Sequence, residues 1–423
     1  MTGFKEINGV LNADNVPLTD IAKEYGTPTY VYSADVMKEQ YEALAGAMKR
    51  ALPADRQPLL CYACKANSNV AVLSYLRSLG CSLEIVSEGE LKRGLKAGFK
   101  ANQIVSTGVG KTRSEIISCL EAGIHQFNVE SFPELKHINQ IAGEIGIKAT
   151  VVFRLNPNVS GGGHHKISTG RKRDKFGISE ESICDAYQLA SEMEHVEPVG
   201  LSVHIGSQVF TVESFKTAFE KLPGIVEKIR ENGHSVTRLD IGGGFPIIYK
   251  DEKLLDLDRY AEWVRDIIMP LDTEIIMEPG RYLVGNAGVL LSEVLYVKET
   301  HDQDFLVIDA AMNDLIRPTL YEAYHGIEPV ENRDAPHHNY DVVGPICESG
   351  DTFTQGRDLP KMNQGDLVVV QSAGAYGFCM ASNYNTRAMP AEILVYDGQA
   401  HEVRARESVE EIIDLDKIPD FIK

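Results

Sequence analysis

Several features are missing from this 423-residue chain, and each absence argues against a class of protein. Long basic tracts are missing, and 61 Asp and Glu against 42 Lys and Arg give a formal charge of −19, so no nucleic-acid surface is expected. No stretch reaches the roughly 18 apolar residues of a membrane span, and residues 1–6 lack a basic start followed by an apolar run. The sequence therefore predicts a cytoplasmic protein that binds neither nucleic acid nor membrane.

Cysteine is also sparse. The seven cysteines form an odd, scattered set, which does not suggest a disulfide framework. Cys61 and Cys64 have the spacing of a redox pair, but residues three apart on a strand point to opposite faces. No dithiol centre is therefore expected there.

Between about residues 36 and 285, short apolar runs alternate with amphipathic helical stretches. The predicted strands are 59–65, 82–86, 103–106, 125–129, 149–155, 199–205, 236–241 and 274–277. Helical periodicity fills the gaps, for example at 69–79, 90–97, 114–122, 215–232 and 257–269. Alternating strands and helices imply parallel pairing, and eight such units predict a closed (β/α)8 TIM barrel with its active site at the carboxyl ends of the strands.

After residue 286 the chain changes to short apolar runs separated by Gly, Pro, Asn and Asp, such as 305–308, 367–370 and 392–396. This pattern predicts a sandwich-like or barrel-like β domain, so the fold class is α/β plus all-β. The predicted division is an N-terminal segment 1–35, a barrel 36–285 and a C-terminal β domain 286–423. Residues 29–32 could pair with the barrel or, as this division takes it, with the C-terminal domain.

Lys65 is the most informative residue, since it stands at the inner end of the first predicted strand. Desolvation favours a neutral amine, which is the nucleophile that forms a Schiff base with a carbonyl group. Alternatively, a lysine at a strand end extends its ammonium to water and has no chemical role. Polar residues at the ends of other strands favour the chemical role: Arg154 ends the fifth strand and His204 the sixth.

Glycines follow the last two predicted strands, at residues 242–244 and at Gly280. Loops at these two places in barrels often bind phosphate through backbone amides. Gly242, Gly243, Gly244, Gly280 and the amide of Arg281 fit that role, and Ser207 could add a hydroxyl donor. The alternatives are plain glycine turns and, for Ser207, a helix N-cap.

Glu278 indicates the type of chemistry. Where the carbonyl compound held by Lys65 is a pyridine aldehyde cofactor, a carboxylate beside the pyridine nitrogen keeps that nitrogen protonated. The cofactor ring then accepts the electron pair released when a bond to the substrate α-carbon breaks. Such an electron sink favours decarboxylation. Alternatively, Glu278 is a carboxylate at the barrel rim that pairs with Arg281 and has no chemical role. His204 is expected either against the ring or as a core histidine. Arg154 could bond His204, lie near the cofactor or belong to a buried ion pair.

A third glycine cluster, at residues 161–170, follows the fifth strand and is too long for a tight turn, so we predict a mobile lid. The adjacent His164 and His165 do not easily bind one metal ion, and no metal is expected.

These residues and further motifs resemble the fold-type III, alanine-racemase-like pyridoxal phosphate decarboxylases over nearly the whole chain. The matching motifs are YACKAN at 62–67, STG at 168–170, KFG at 175–177, HIGSQ at 204–208, GGG at 242–244, EPGR at 278–281, NDLIRPTLY at 313–321, GPICESGD at 344–351 and GAY at 374–376. Decarboxylases of several basic amino acids share the barrel motifs, which therefore specify cofactor and class. The motifs after residue 286 are more specific, because they indicate the substrate.

The resemblance implies pyridoxal 5′-phosphate as cofactor and a homodimer in which the loop at 347–348 completes the other subunit's site. The implied catalytic residues are Lys65, Cys347, Glu278 and His204. The implied cofactor contacts are Lys65, His204, Ser207, Gly243, Gly244, Glu278, Pro279, Gly280, Arg281 and Tyr376. The implied substrate contacts are Arg281, Arg317, Tyr321, Glu348 and Tyr376. Arginines would bind a distal carboxylate, Glu348 a distal ammonium, and Cys347 would donate the proton that replaces carbon dioxide.

The implied reaction is decarboxylation of meso-2,6-diaminopimelate to L-lysine and carbon dioxide, the last step of lysine biosynthesis. The nearest alternative is a related decarboxylase of another basic amino acid, carboxynorspermidine or a carrier-bound amino acid, although Arg317 with Glu348 argues against most of these. A catalytically inactive regulatory relative and an amino-acid racemase are further alternatives.

Three places depart from the family pattern. Glu84 stands where aspartate is usual, residues 87–90 lack a common second glycine, and Pro246 replaces a frequent glycine. None of these changes removes a catalytic group.

Overall fold

The structure is a computed structural model that describes residues 3–159 and 175–422. It divides into two compact units. The barrel unit comprises Lys38–Ile248 and Glu252–Leu283, and the β unit comprises Met1–Met37, Tyr249–Asp251 and Val284–Lys423. The mobile lid predicted at 161–170, with His164 and His165, lies outside the described residues. The three-part division with boundaries at 35 and 285 stays a prediction.

The N-terminal elements of the β unit begin with a small antiparallel sheet of β1 (Phe4–Ile7), β2 (Val10–Ala13) and β3 (Val16–Pro17). Helix α1 (Leu18–Tyr25), strand β4 (Thr29–Ser33) and helix α2 (Ala34–Ala51) follow. All five residues of β4 are buried, as expected of a strand with neighbours on both sides.

The barrel unit is built on parallel strands whose residues are mostly apolar and buried, as in sheets that are covered on both faces. The strands are β5 (Leu59–Ala63), β6 (Ser82–Ile85), β7 (Ile104–Ser106), β8 (Gln126–Val129), β9 (Ala149–Asn156), β10 (Ile178–Ser179), β11 (Val196–Val203), β12 (Arg238–Asp240) and β13 (Glu274–Met277). Within the described residues, eight of them close in the order β9-β11-β12-β13-β5-β6-β7-β8, with β8 pairing back to β9 and the short β10 outside. The predicted TIM barrel is confirmed.

Helices connect these strands. They are α3 (Val70–Leu79), α4 (Glu88–Lys96), α5 (Arg113–Ala122), α6 (Phe132–Ile145), α7 (Ile183–Ser191), α8 (Val212–Phe219), α9 (Leu222–Glu231), α10 (Leu257–Trp263) and α11 (Arg281–Val284). The sequence sets their ends: Thr112 and Glu115 form a capping box at the start of α5, and Gly123 ends it with a left-handed φ of 72°.

Two helix predictions were wrong in detail. The stretch predicted as one helix at 215–232 is two helices, because Pro223 lacks an N–H and would clash with the carbonyl of Phe219 in a continuous helix. Pro223 instead lies in the first turn of α9. The helix predicted at 257–269 changes to a π-helical turn over Val264–Ile268.

The second part of the β unit confirms the predicted β domain. Its strands are β14 (Gly288–Glu299), β15 (Asp304–Ile308), β16 (Ile327–Pro329), β17 (His337–Val343), β18 (Thr352–Pro360), β19 (Leu367–Val370), β20 (Ala391–Tyr396) and β21 (Gln399–Arg404), with helices α12 (Arg317–Tyr321) and α13 (Val409–Ile413). Strand β4 lies between β14, antiparallel, and β20, parallel. The stretch at 29–32 thus pairs within the β unit.

No helix in the described ranges is long and apolar enough to cross a membrane.

Candidate active site

The carboxyl ends of the barrel strands form one pocket, which Lys65, Asn128, Arg154, His204 and Glu278 line with neighbouring residues. Four of these five residues were selected from the sequence; Asn128 was not. Strand-end position was therefore sufficient to bring the predicted barrel residues together.

Lys65 lies in a single 3-10 turn directly after β5. Its Nζ is 2.8 Å from both carboxylate oxygens of Glu84, whose side chain is fully buried, while the Lys65 side chain remains 36% exposed. The amine is thus held by a buried carboxylate at the pocket wall and remains accessible. Glu84 supplies a carboxylate where the family usually has aspartate.

Glu278 and Asp240 form a buried pair of carboxyl groups that the sequence did not predict. Asn128 Nδ2 donates to Asp240 Oδ2 at 2.9 Å and to Glu278 Oε1 at 3.3 Å. Thr107 Oγ1 also donates to Glu278 Oε1, at 3.2 Å, and the two carboxyl groups hydrogen-bond each other. A side chain that is only 6% exposed therefore has a complete set of partners.

The pair retains a proton. Burial raises the pKa of Glu278 well above its usual range, and the nearby charges of Asp240 and Glu84 add to this shift. Burial raises the pKa of Asp240 as well. Two buried carboxyl groups in hydrogen-bond contact do not both ionise readily, so this arrangement favours one proton shared between Glu278 and Asp240. The pair of carboxyl groups consequently favours a bound proton inside the pocket.

His204 follows β11 as an uncharged imidazole. Burial lowers its pKa well below the usual range, and the positive charges of Arg154 and Lys65 lower it further. Its Nδ1 accepts a hydrogen bond from the amide of Gly243 at 3.2 Å, so the ring proton is on Nε2.

The glycines after β12 and β13 leave no room for side chains. A Cβ on Gly243 would lie 2.0 Å from the carbonyl oxygen of Glu278, and one on Gly244, where φ is +102°, would lie 2.5 Å from the carbonyl of Gly206. The amide of Glu278 also donates to the carbonyl of Gly242 at 2.8 Å. Both predicted glycine loops thus meet backbone to backbone beside the pocket.

Ser207 and Arg281 are in direct contact. Ser207 Oγ accepts from Nε and Nη2 of Arg281 at 3.3 and 3.1 Å. Ser207 is not a helix cap, since the next helix begins at Val212. The alternative that Glu278 pairs with Arg281 is not what the structure shows, because Glu278 hydrogen-bonds Asp240, Asn128 and Thr107.

Arg154 belongs to a buried ion pair with Glu130, at 2.8 Å, and its guanidinium stacks on Phe176 at 4.8 Å. Of the three positions left open for Arg154, the structure shows the ion pair. The other oxygen of Glu130 accepts from the amide of Gly177. Sequence reasoning missed Glu130, although it directly follows β8.

Lys111 was also missed. It is a lysine with only 4% of its side chain exposed, and it bonds Glu134 at 2.6 Å and the carbonyls of Gly108 and Asn128 at 2.9 and 2.8 Å. These bonds fix the ends of β7 and β8, which carry the Glu278 partners Thr107 and Asn128. Lys111 therefore serves the packing of the pocket wall, unlike Lys65.

The remaining predicted residues lie in the β unit. Cys347 and Glu348 are exposed on the loop after β17. The amide of Cys347 donates to Asn385 Oδ1 at 2.9 Å, and the Tyr384 hydroxyl donates to Glu348 at 3.5 Å. Both oxygens of Asp351 accept backbone amides and shape this loop. A thiol and a carboxylate are thus presented side by side.

Arg317 begins α12 and is buried; it stacks on Tyr249 at 4.6 Å and bonds His325. Tyr321 ends the same helix and is half-buried. Tyr376, also half-buried, has a left-handed φ of 55° in the loop after β19.

A barrel that combines an accessible amine, a proton-retaining carboxyl group and two glycine loops is the arrangement of a pyridoxal-dependent decarboxylase. A sequence model of the family described as "Pyridoxal-dependent decarboxylase, pyridoxal binding domain" matches residues 38–285. The diaminopimelate decarboxylase of Pseudomonas aeruginosa is 46% identical over 412 residues, which cover 97% of this chain and 98% of the relative. That of Vibrio cholerae is 42% identical over 412 residues, with 97% of each chain covered. The chain belongs to the diaminopimelate decarboxylase family.

Solved structures agree over the full length. A diaminopimelate decarboxylase from M. jannaschii in complex with L-lysine has 36% identity, a TM-score of 0.94 and 99% coverage of both chains. The Helicobacter pylori enzyme complexed with L-lysine has 39% identity and a TM-score of 0.89, covering 94% of this chain and 98% of that one.

Proposed function

We propose that this protein decarboxylates meso-2,6-diaminopimelate at its D-configured centre, with pyridoxal 5′-phosphate as cofactor. The products are L-lysine and carbon dioxide, and the reaction is the last step of lysine biosynthesis. The observation that carries the proposal is the buried carboxyl group of Glu278, bonded to Asn128 and Thr107, in the same pocket as Lys65, in a chain of this family. We further propose a cytoplasmic location, which the acidic composition suits.

The residues at the pocket fit the cofactor. Lys65 is an amine able to hold its aldehyde carbon covalently. Gly244 and Gly280 offer backbone amides where a Cβ would clash or crowd, as phosphate binding in such loops requires. Gly243 uses its amide to hold the His204 ring, so its predicted cofactor contact would be through that ring. The hydroxyl of Ser207 adds a polar group, and the guanidinium of Arg281 that contacts it adds a positive charge. We assign further cofactor contacts to Pro279 and Tyr376.

When bound, the cofactor supplies a protonated pyridine ring that accepts the electron pair released as carbon dioxide leaves. Glu278 holds the proton that such a nitrogen needs, and Asp240 beside it favours the protonated state. His204 is neutral, so it places no positive charge against a cationic ring. The chain's own groups thus favour the charge state on which decarboxylation depends.

The β unit would supply the groups that act on the substrate. We assign Cys347 as the donor of the proton that replaces carbon dioxide. Arg317, with Arg281, would bind the distal carboxylate and Glu348 the distal ammonium, while Tyr321 and Tyr376 would contact the substrate.

Substrate choice is tested by carbon dioxide release from meso-diaminopimelate, lysine, ornithine, arginine and carboxynorspermidine, with chiral analysis of the products. We expect release from diaminopimelate alone, yielding L-lysine, because only that substrate carries both a distal carboxylate and a distal ammonium. Release from another substrate would retain the cofactor chemistry and reject the assignments of Arg317 and Glu348. No release from any would favour the inactive relative or a carrier-bound substrate.

We also propose a homodimer in which each site combines Lys65 of one subunit with Cys347 of the other. Inactive Lys65→Ala and Cys347→Ala chains, unfolded and refolded together, should then regain activity. Random pairing makes half of the dimers hybrids with one intact site each, so about a quarter of the wild-type activity is expected. Each variant refolded alone is the control, and a mixture as inactive as its components would reject shared sites.

A further inference from the structure

His325 is a buried histidine that connects Arg317 to the protein backbone. Its Nε2 lies 2.8 Å from Arg317 Nη1, and its Nδ1 lies 2.8 Å from the carbonyl oxygen of Gln371. Only 1% of the residue is exposed. The ring also meets Tyr249 edge-on at 5.2 Å, and Tyr249 is the ring on which the Arg317 guanidinium stacks.

The two hydrogen bonds determine the state of the ring. A guanidinium has no acceptor, so His325 Nε2 must accept from Arg317. A carbonyl has no donor, so His325 Nδ1 must carry the proton that it donates to Gln371. The imidazole is therefore neutral and fixed as the Nδ1–H tautomer. Such a partner orients the Arg317 guanidinium without cancelling its charge, whereas the carboxylate of Glu130 neutralises Arg154.

We propose that His325 is a positioning residue for Arg317, and that it thereby sets the preference for ligands with a distal carboxylate. This inference rests on the proposed function, which assigns that carboxylate to Arg317. A guanidinium binds a carboxylate through two parallel N–H groups, so its affinity depends on its orientation. His325 fixes that orientation through its contact with Nη1.

The same histidine ties Arg317 to the segment that carries Tyr376. Gln371 directly follows β19, and its amide donates to the carbonyl of Gly326, the residue after His325. A Cβ on Gly326 would lie 2.2 Å from Gln371 Oε1, so the two segments are in close contact. His325 thus ties Arg317 to the start of the segment that follows β19.

Ligand pairs that differ only in the distal carboxylate provide the test. L-lysine retains that carboxylate and cadaverine lacks it, and both are assayed as competitive inhibitors of the cofactor-loaded enzyme. In His325→Asn the amide nitrogen can still bond Gln371 but no acceptor reaches Arg317. We expect the inhibition constant of L-lysine and the KM of diaminopimelate to rise about tenfold, the usual effect of losing a hydrogen bond to a charged group. Inhibition by cadaverine should be unchanged.

His325→Gln is the matched control, because its amide oxygen reaches the position of Nε2, and it should bind L-lysine nearly as tightly as the wild type. If His325→Asn does not fold, His325→Met replaces it, since methionine is of similar size and offers no comparable acceptor. Arg317→Met separates the two proposals. If Arg317→Met weakens L-lysine binding and neither acceptor-free His325 variant does, the inference on His325 is wrong and the proposed function stands. If Arg317→Met has no effect, the assignment of Arg317 is wrong as well. If His325→Asn raises the inhibition constants of L-lysine and cadaverine equally, the positioning role of His325 is rejected.

Discussion

Lys65→Ala is expected to abolish turnover, with kcat falling by at least about 10^3-fold, because the replacement removes the amine assigned to hold the cofactor and a nucleophile cannot be replaced by binding alone. Sodium borohydride should attach the cofactor to the wild-type chain at Lys65, identified by peptide mass spectrometry, and should attach none to the variant. Carbon dioxide release with saturating cofactor measures the loss of activity.

Two lysines serve as controls for this result. Lys92, an exposed residue paired with Glu88, should tolerate replacement by alanine with full activity. Lys111, buried in its contacts with Glu134 and two carbonyls, should carry no borohydride label in the wild type. Full turnover by Lys65→Ala with added cofactor, or labelling at Lys111 instead, would overturn the assignment of Lys65.

Glu278→Gln is expected to lower kcat by about 10^2-fold, the usual effect of removing one group aimed at developing charge in a closed site. Glutamine keeps the size of the side chain and an oxygen to accept from Asn128 and Thr107, but it has no acid proton to give to a ring nitrogen. Kinetics with diaminopimelate measure the loss, and thermal unfolding checks that the fold is retained.

Glu274→Gln is the matched control, since Glu274 is a carboxylate on the same strand, β13, partly exposed and paired with His125 and Arg238. It should leave kcat unchanged. If Glu278→Gln were as active as Glu274→Gln, the proton held by Glu278 would have no part in the electron sink.

The barrel could be predicted from sequence because its strands are short, apolar and buried on both faces, so each one interrupts the helical pattern clearly. Their ends were less certain. Strand β11 begins at Val196 instead of 199, and α9 begins at Leu222 because Pro223 imposes a new start. The alternation of apolar and helical stretches in a sequence does not determine the exact residue at which a strand or helix begins.

The missed site residues divide into two kinds. Glu130 and Thr107 directly follow strands, so the rule that selected Arg154 and His204 would have found them. Asn128 lies within β8 and Asp240 is the last residue of β12, and their side chains meet only because the barrel closes through the pairing of β8 with β9. A single sequence does not indicate which residues of distant strands lie close together in space. Asp240 does carry one local signal, a charged residue in an apolar run whose carboxylate accepts the amide of Gly242 two residues later.

The proposed assignment of site residues to two compact units has an evolutionary consequence. The groups assigned to the reactive ring, Lys65, His204 and Glu278, belong to the barrel unit, whereas Arg317 and Glu348, assigned to the far end of the substrate, belong to the β unit. Mutations that alter substrate preference can therefore accumulate in the β unit while selection preserves the barrel and, in the β unit, Cys347. A duplicated gene could acquire a new amino acid substrate by drift around α12 and at Glu348, with Cys347 and the barrel unchanged.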